Sequence, residues 1–328
     1  MRKEKLIIIT VAREGTKAKD VLEALVCAES VKQSFLDREV LVKIVYIEKS
    51  DFSESGRLKR KIKKLKPGCV FNLFEGFMSD PGKEVDFVEI IEDMEILFTG
   101  NFSQTLKNCL NKQAAKDILI KNRISVPQGL LVNNINDLEG NNLSLPIFIK
   151  PCFEDASVGI DENSLVVSRD DLYKIIGQKL ENFHRGLLVE EFIPGREFSV
   201  GFLGEFPYEL LGISTMDYSR HQDLVPFLIY AAKWEASSRS SRVLIPCCKE
   251  KIEGNIKGEI IDIASQAGRA LGCRGYFRVD LREKNGDLFV IDVNPNPDIN
   301  KDSGFMRQAY HKGYSYDDAV EKILNSAV

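Results

Sequence analysis

The sequence predicts an α/β region that passes into an α+β region: a parallel sheet covered by helices, then a longer stretch dominated by short strands. Two observations predict it. Over residues 1–110, β-branched runs of strand length alternate with segments of helical periodicity, the pattern of a parallel sheet with helices on its faces. Beyond that point, short apolar runs follow one another with turn residues between them. Composition permits this reading. The chain has 328 residues, 44% hydrophobic and 29% charged, with a net charge of −4, an ordinary globular mixture. That excludes a disordered tail, a collagen-like rod and a disulfide miniprotein, and it lacks the basic surplus of a general nucleic-acid binder. At ~150 residues per domain the length corresponds to two domains or slightly more.

The first strand is read at Leu6–Val11. Met1-Arg-Lys-Glu-Lys5 imitates the start of a secretory signal, but the apolar run from Leu6 to Ala12 is short and stops at Arg13. A helical pattern (Val21, Leu22, Leu25, Val26, Ala28, Val31, Phe35) leads to a second strand at Val40–Ile47. Seven basic residues between Arg57 and Lys66 crowd one short helix whose apolar stripe is Leu58, Ile62 and Leu65. A solvated amphipathic helix packed on the sheet is favoured there over a polyanion site. Val70–Phe74 is the third strand and Glu84–Met94 a helix. A helix over 112–122 follows, then strands at Ile147–Lys150, Leu165–Val167, Leu187–Phe192, Glu197–Leu203 and Glu209–Ile213. Residues 214–242 have weak periodicity, the mark of a functional loop or lid in a compact domain. A helix over 256–271 precedes two strands, Tyr276–Leu281 and Leu288–Val293, with Gly286-Asp287 supplying their turn, and helices over 303–312 and 315–326 end the pattern.

The seven cysteines form no CxxC pair and no cluster with the three histidines, His184, His221 and His311. They read as reduced, mostly buried thiols, and a histidine-built metal site or a Ser/His/Asp triad is disfavoured. No stretch approaches the ~18 apolar residues of a membrane span. The expectation is a soluble, cytoplasmic protein that binds neither membrane nor nucleic acid.

The most informative segment lies near the carboxyl end. Arg278-Val-Asp280 sits on one strand and Asp292-Val-Asn294 on the next. Within each triplet the outer residues are two apart, so they share a face, and Asp280, Asp292 and Asn294 converge as an all-oxygen cluster. Such donors suit Mg²⁺ or Mn²⁺ with substrate phosphates completing the shell, and Arg278 on that face would neutralise an oxyanion. Taken alone, a polar solvent-facing sheet with a turn at Asn294-Pro-Asn-Pro remains an equal reading. Pro146-Ile-Phe-Ile-Lys150-Pro151 ends a buried strand in a lysine before the small-residue loop Glu154–Gly159, an arrangement suited to phosphate charge. No P-loop motif is present. In Leu187-Leu-Val-Glu-Glu-Phe-Ile-Pro-Gly-Arg-Glu197, Glu190 can accept from an adenine amino group and Glu197 from ribose hydroxyls. At Asp302-Ser303 an ordinary helix cap and a seat for a substrate carboxylate stand equal.

In this order the motifs resemble the ATP-grasp superfamily, and within it the D-alanine–D-alanine ligase group. The resemblance runs from Val70-Phe-Asn-Leu-Phe-Glu-Gly76 and Phe98-Thr-Gly100 through Asn111-Lys112 with Lys116 following, Ile149-Lys-Pro151, Ser157-Val-Gly159, Val189-Glu-Glu-Phe192, Gly195-Arg-Glu197 and Ala232-Lys233-Trp234 to Arg278-Val-Asp280 and Asp292-Val-Asn-Pro295. It implies a parallel α/β domain over 1–110 and two α+β lobes, 111–187 and 188–328, enclosing ATP. By resemblance, Lys112 and Lys150 would bind the α and β phosphates, with Ser157 and its loop folding over them. Glu190, Phe192 and Ile193 would line the adenine pocket, and Glu197 would hold the ribose. Lys233 would reach the γ-phosphate. Asp280, Asp292 and Asn294 would hold two Mg²⁺ ions, and Arg278 would stabilise a tetrahedral intermediate. The group is commonly dimeric through its first domain, so the resemblance also implies a homodimer.

Several positions depart from the group's pattern. No glutamate of Val11-Ala-Arg-Glu-Gly-Thr16 can be assigned to seat the first amino acid; Ala156 replaces a serine, and Trp234 a tyrosine. Asp292 stands for the usual bridging glutamate, and Asp298 adds a carboxylate close to the acceptor site. The expected function is therefore an ATP-dependent ligase joining an amino acid or short peptide to an amine through an acyl phosphate, with substrates other than two D-alanines. Asp298, Ser303 and Trp234 are the candidate substrate residues. A phosphotransferase that stops at the phosphorylated product and a non-catalytic nucleotide-binding module are the alternatives.

Overall fold

The computed structural model describes residues 5–16, 18–154, 157–216, 218, 225–229, 247–248 and 252–328. Strands β1 (Ile7–Ala12), β2 (Val42–Ile47) and β3 (Cys69–Asn72) form a parallel sheet in the order β2-β1-β3. Alternation along β1 sorts its side chains. Ile7, Ile9 and Val11 face Val31 and Phe35 of helix α1 (Lys19–Leu36). Ile8 faces Leu58 and Ile62 of α2 (Arg57–Leu65) and Val88 and Ile91 of α3 (Lys83–Asp93). The basic side of α2 turns outward, where Lys59, Arg60 and Lys61 meet Asp93, Glu54 and Asp51. That is the solvated amphipathic helix expected from the sequence.

Helices α4 (Ser103–Leu110) and α5 (Lys112–Lys121) lead out of this region. The Asn111 side chain caps α5 by accepting from Ala114 N at 3.1 Å, which places Lys112 in its first turn. A second, antiparallel sheet has the order β4-β7-β5-β6, from β4 (Gly129–Val132), β5 (Ile147–Pro151), β6 (Leu165–Val166) and β7 (Leu187–Glu191). The cut expected at 187/188 falls at the start of β7, which pairs with β4 and β5. Helix α6 (Arg169–Leu180), capped by Ser168, packs Leu172 and Ile176 on this sheet.

The third sheet is antiparallel in the order β11-β10-β8-β9, from β8 (Glu197–Gly204), β9 (Glu209–Met216), β10 (Gly275–Lys284) and β11 (Asp287–Pro295). Helix α7 (Gly254–Leu271) covers one face, setting Ile260, Ala264 and Ala267 against Phe277 and Val279. Helices α8 (Gly304–Lys312) and α9 (Tyr316–Asn325) lie on the Tyr276 side. The β10–β11 turn is Asn285-Gly286, at φ 55° and 91°, the pair of left-handed residues a two-residue hairpin needs. The sequence reading placed it one residue late; Asp287 already pairs with Lys284. Of the segment expected as a lid, Ser214–Met216 extend β9, and most of the remainder lies outside the described residues.

One contact fixes the first sheet to the third. Asn296 accepts through Oδ1 from Asn101 N at 2.9 Å and donates through Nδ2 to Glu84 Oε1 at 3.2 Å. Gly100, at φ 90°, permits that approach, because a Cβ there would stand 2.4 Å from Asn296 Oδ1. Among the described residues no helix is long and apolar enough to cross a membrane.

Candidate active site

The loops of the first sheet, the ends of the second and one face of the third enclose a cavity of about 1140 Å³. Two buried lysines, Lys112 and Lys150, line its charged floor, and a third buried lysine, Lys116, meets Lys150 at Glu190. Lys112 donates to Glu154 O at 2.5 Å. Lys116, one turn along α5, and Lys150, at the end of β5, grip the two oxygens of Glu190 at 3.0 and 2.8 Å. Burial alone would raise the Glu190 carboxyl, but Lys150 and Lys116 outweigh it and hold it below the ordinary carboxylate range. Lys150 also donates to Ile291 O at 2.9 Å. That carbonyl is available because β11 bulges there: Asp280 pairs with Asp292 and Leu281 with Val290, leaving Ile291 as the extra residue. The bulge thus ties the second sheet to the third at the lysine end of the cavity.

The loop after β5 borders the same floor. Ser157 and Gly159 take left-handed conformations, at φ 64° and 74°, and both line the cavity. Lys179 of α6, itself buried, anchors the loop's exit by donating to Gly159 O at 2.8 Å and Asp161 Oδ1 at 3.0 Å.

At the apolar end, Phe192 and Ile193 follow β7, and Phe192 joins Phe148 and Phe227 in a cluster with ring centroids 5.0 to 6.3 Å apart. The rings meet tilted or edge-on, at interplanar angles of 39° to 75°, and give this end of the cavity an aromatic lining. Glu197 opens β8 beside it and accepts from Tyr218 Oη at 3.0 Å. Burial, with Glu197 next to it, pushes the Tyr218 phenol well up, so it stays a donor. Arg282 lies between the rings of Phe192 and Tyr218, 4.6 and 5.3 Å from their centroids.

The polar face of the third sheet completes the cavity. Arg278 pairs in register with Asn294, and Asp280 with Asp292, so all four share one face. Arg278 grips Asp280 as a fork, Nε to Oδ1 at 2.9 Å and Nη2 to Oδ2 at 2.7 Å. Burial opposes the arginine's charge, but Asp280, Asp292 and Glu197 outweigh it. Among the described residues no three His, Cys, Asp or Glu side chains gather as a metal cluster. The donor set is two carboxylates and one amide oxygen, all hard. It fits a Mg²⁺-like ion that takes the rest of its shell from phosphate and water.

Past β11 the chain turns toward α8. Ser303 caps α8, accepting from Met306 N at 3.2 Å, so its oxygen serves the helix while its proton is left to donate. Asp298 is open to the cavity, yet enough chain crowds it that desolvation, with Asp302 adding, raises its carboxyl. Every candidate residue among the described positions borders this one cavity. Lys233 and Trp234 lie outside the described residues. Sequence reasoning missed the parts played by Lys116, Lys179, Arg282 and Tyr218. Two of them had a signal: Lys116 follows the Asn111-Lys112 motif, and Arg278, Asp280 and Arg282 recur every second residue on one face. Glu14, in the stretch where no glutamate could be assigned, also lines the cavity and accepts from Met78 N at 2.9 Å.

Residues 128–325 match the family model described as D-ala D-ala ligase C-terminus. A D-alanine–D-alanine ligase of Pelagibacter ubique is 29% identical over 277 residues, covering 82% of this chain and 84% of that protein. The crystal structure of a D-alanine–D-alanine ligase from Bacillus anthracis complexed with ATP superposes with a TM-score of 0.75 at 19% identity, over 98% of this chain and 97% of the other. The VanG D-Ala:D-Ser ligase from Enterococcus faecalis superposes at 0.74 and 19% identity, over 98% and 99%. The architecture is the ATP-grasp fold.

Proposed function

The chain belongs to the D-ala D-ala ligase family, whose C-terminal model it matches over residues 128–325, and from that premise we propose how this ATP-dependent ligase works and on what. The reading is a carbon–nitrogen ligase that activates one substrate carboxylate as an acyl phosphate and passes it to an amine. A carboxylate is a poor electrophile, so an amine cannot attack it directly near pH 7. Its attack on the γ-phosphate of ATP gives the acyl phosphate and ADP; the amine then adds to the carbonyl, and phosphate leaves. The chain's own work is positioning and charge neutralisation. Lys112 and Lys150 would meet the phosphates, Phe192 and Ile193 the adenine, and Glu197 the ribose, with Ser157 and its loop above. Arg278 would face the oxyanion of the addition step. Asp280, Asp292 and Asn294 would hold Mg²⁺, which when bound supplies positive charge to the phosphate oxygens.

One observation carries this reading: the lysine-lined floor and the Arg278–Asp280–Asp292 face border a single cavity, so a nucleotide and a substrate carboxylate can meet there. Two departures support substrates other than two D-alanines. Ala156 and Trp234 stand where the group has serine and tyrosine, and Asp298 adds an acid to the cavity wall. A homodimer and a cytoplasmic location remain part of the proposal.

The test measures ADP and phosphate release with Mg²⁺ over a panel of amino acids and dipeptides, with products weighed by mass spectrometry. ADP and phosphate in equal amounts, with a condensed product, is the expected result. ADP without free phosphate favours the phosphotransferase, and ATP binding with no turnover favours the non-catalytic module. Asp280→Ala is expected to lower turnover at least about 100-fold; full turnover in that variant would overturn the metal assignment.

A further inference from the structure

We propose that Tyr218 and Arg282 are positioning residues: together they set the Glu197 carboxylate to read the ribose hydroxyls of the nucleotide, and so separate ATP from deoxynucleotides. The proposal rests on the ligase reading above and deepens its ribose site.

The register of the third sheet assembles the group. Arg282 of β10 stands opposite Glu197 of β8, and Glu197 stands opposite Met216 of β9. Directly opposed residues share a face, so the three form one row across the sheet, and Tyr218 follows Met216 by two residues. Glu197, Arg282 and Phe192 line the cavity, whereas Tyr218 does not. The phenol is buried and meets Glu197 from outside that lining, Oη donating to Oε2 at 3.0 Å. A carboxylate offers about four lone-pair positions, so a single donor can fix its plane and still leave it able to accept from a hydroxyl.

Arg282 holds the tyrosine in place. Its guanidinium lies between the rings of Phe192 and Tyr218, and its Nη2 donates to Gly195 O at 3.1 Å. Its Nε, also buried, stands 4.0 Å from Glu197 Oε2 and has no hydrogen-bond partner among the described residues. Arg278 closes a fork on Asp280; Arg282 stops short of Glu197 and leaves the orienting bond to Tyr218. A buried N–H without a partner costs stability, and such departures from full pairing are expected where a site, not the fold, sets the arrangement. The stack Phe192–Arg282–Tyr218 thus gives the aromatic end of the cavity and the carboxylate a common support.

Calorimetric titration of the full chain with Mg²⁺ compares ATP with 2′,3′-dideoxy-ATP. The wild type is expected to bind ATP at least tenfold more tightly. Tyr218→Phe keeps the ring against Arg282 and removes the donor. It is expected to shrink that ratio at least threefold through ATP alone, the dideoxy nucleotide changing less than twofold. Arg282→Lys keeps the charge and loses the planar contact with both rings; it is expected to shrink the ratio too, and it decides the matter if the first variant does not fold. Equal loss of affinity for both nucleotides shows a merely structural role and overturns the proposal, as does an unchanged ratio in the folded variants. A wild type that binds the two nucleotides equally overturns it through Glu197, while ADP and phosphate release leaves the ligase reading standing. No binding of ATP removes that reading and the proposal together.

Discussion

Glu190 is 4% exposed, and both its oxygens are taken by lysines. The pairs neutralise the carboxylate and fix the Lys150 ammonium at the cavity floor. Removing the carboxylate leaves two buried cations without a counter-charge, a change that costs about 3–5 kcal/mol when one partner of a buried pair is lost. Glu190→Gln is therefore expected to lower folding stability by that order and to weaken ATP binding at least about tenfold. Urea melts and calorimetric titration check both; unchanged ATP affinity would remove Glu190 from the nucleotide site. The triplet Lys116–Glu190–Lys150 was only half legible in the sequence. Lys116, Lys150 and Glu190 all stand in motifs, but Lys116 reaches Glu190 across 74 positions, and no local pattern encodes that pairing. The Ile291 carbonyl was not legible at all, since a bulge exposes backbone without marking the side-chain pattern.

Most elements could be read because each is built by a periodicity. β1, α1, β10 and β11 bury side chains at two- or 3.6-residue spacing, and their expected bounds differ from the observed ones by a few residues. The elements not foreseen are short or weakly patterned: β4 has four residues and α4 has eight. Helix α6 was missed despite its cap at Ser168, because Asp170 and Asp171 dilute the apolar run in its first turn. An electrostatic clasp gives one element-level prediction. Glu209, which opens β9, bonds Lys312 at the end of α8, Lys322 of α9 and the Tyr314 hydroxyl between them. Burial works against its charge, but those partners hold the carboxyl down from 4.5 to about 2. The folded state thus binds its proton more weakly than the unfolded chain, and stability falls as pH drops from about 4.5 toward about 2. Glu209→Gln is expected to flatten the melting temperature against pH over that window. An unchanged slope would show that the clasp contributes nothing.

At the scale of the molecule, the first sheet is not closed by its own region. The face carrying Ile7, Ile9 and Val11 shares one core with Val31 and Phe35 of α1 and with Ala319, Val320 and Ile323 of α9. The terminal Val328 exchanges backbone hydrogen bonds with Phe98, at 2.9 and 3.3 Å. A chain ended after Gly313 is expected to lose amide protection in β1 and α1 while the second sheet keeps it, as read by hydrogen exchange; protection retained in α1 would show that its face closes without α9. The sequence offered no sign of this arrangement, because the amphipathic faces of α1 and α9 carry no label of their partner. The same arrangement sets an order of events during synthesis. Phe35 leaves the ribosome about 280 residues before Tyr316, roughly 15–55 s earlier at ordinary elongation rates. For that interval the nascent first sheet shows one finished side and one greasy, uncovered side, the kind of surface on which a holdase chaperone settles. That surface is covered only once α9 has been made.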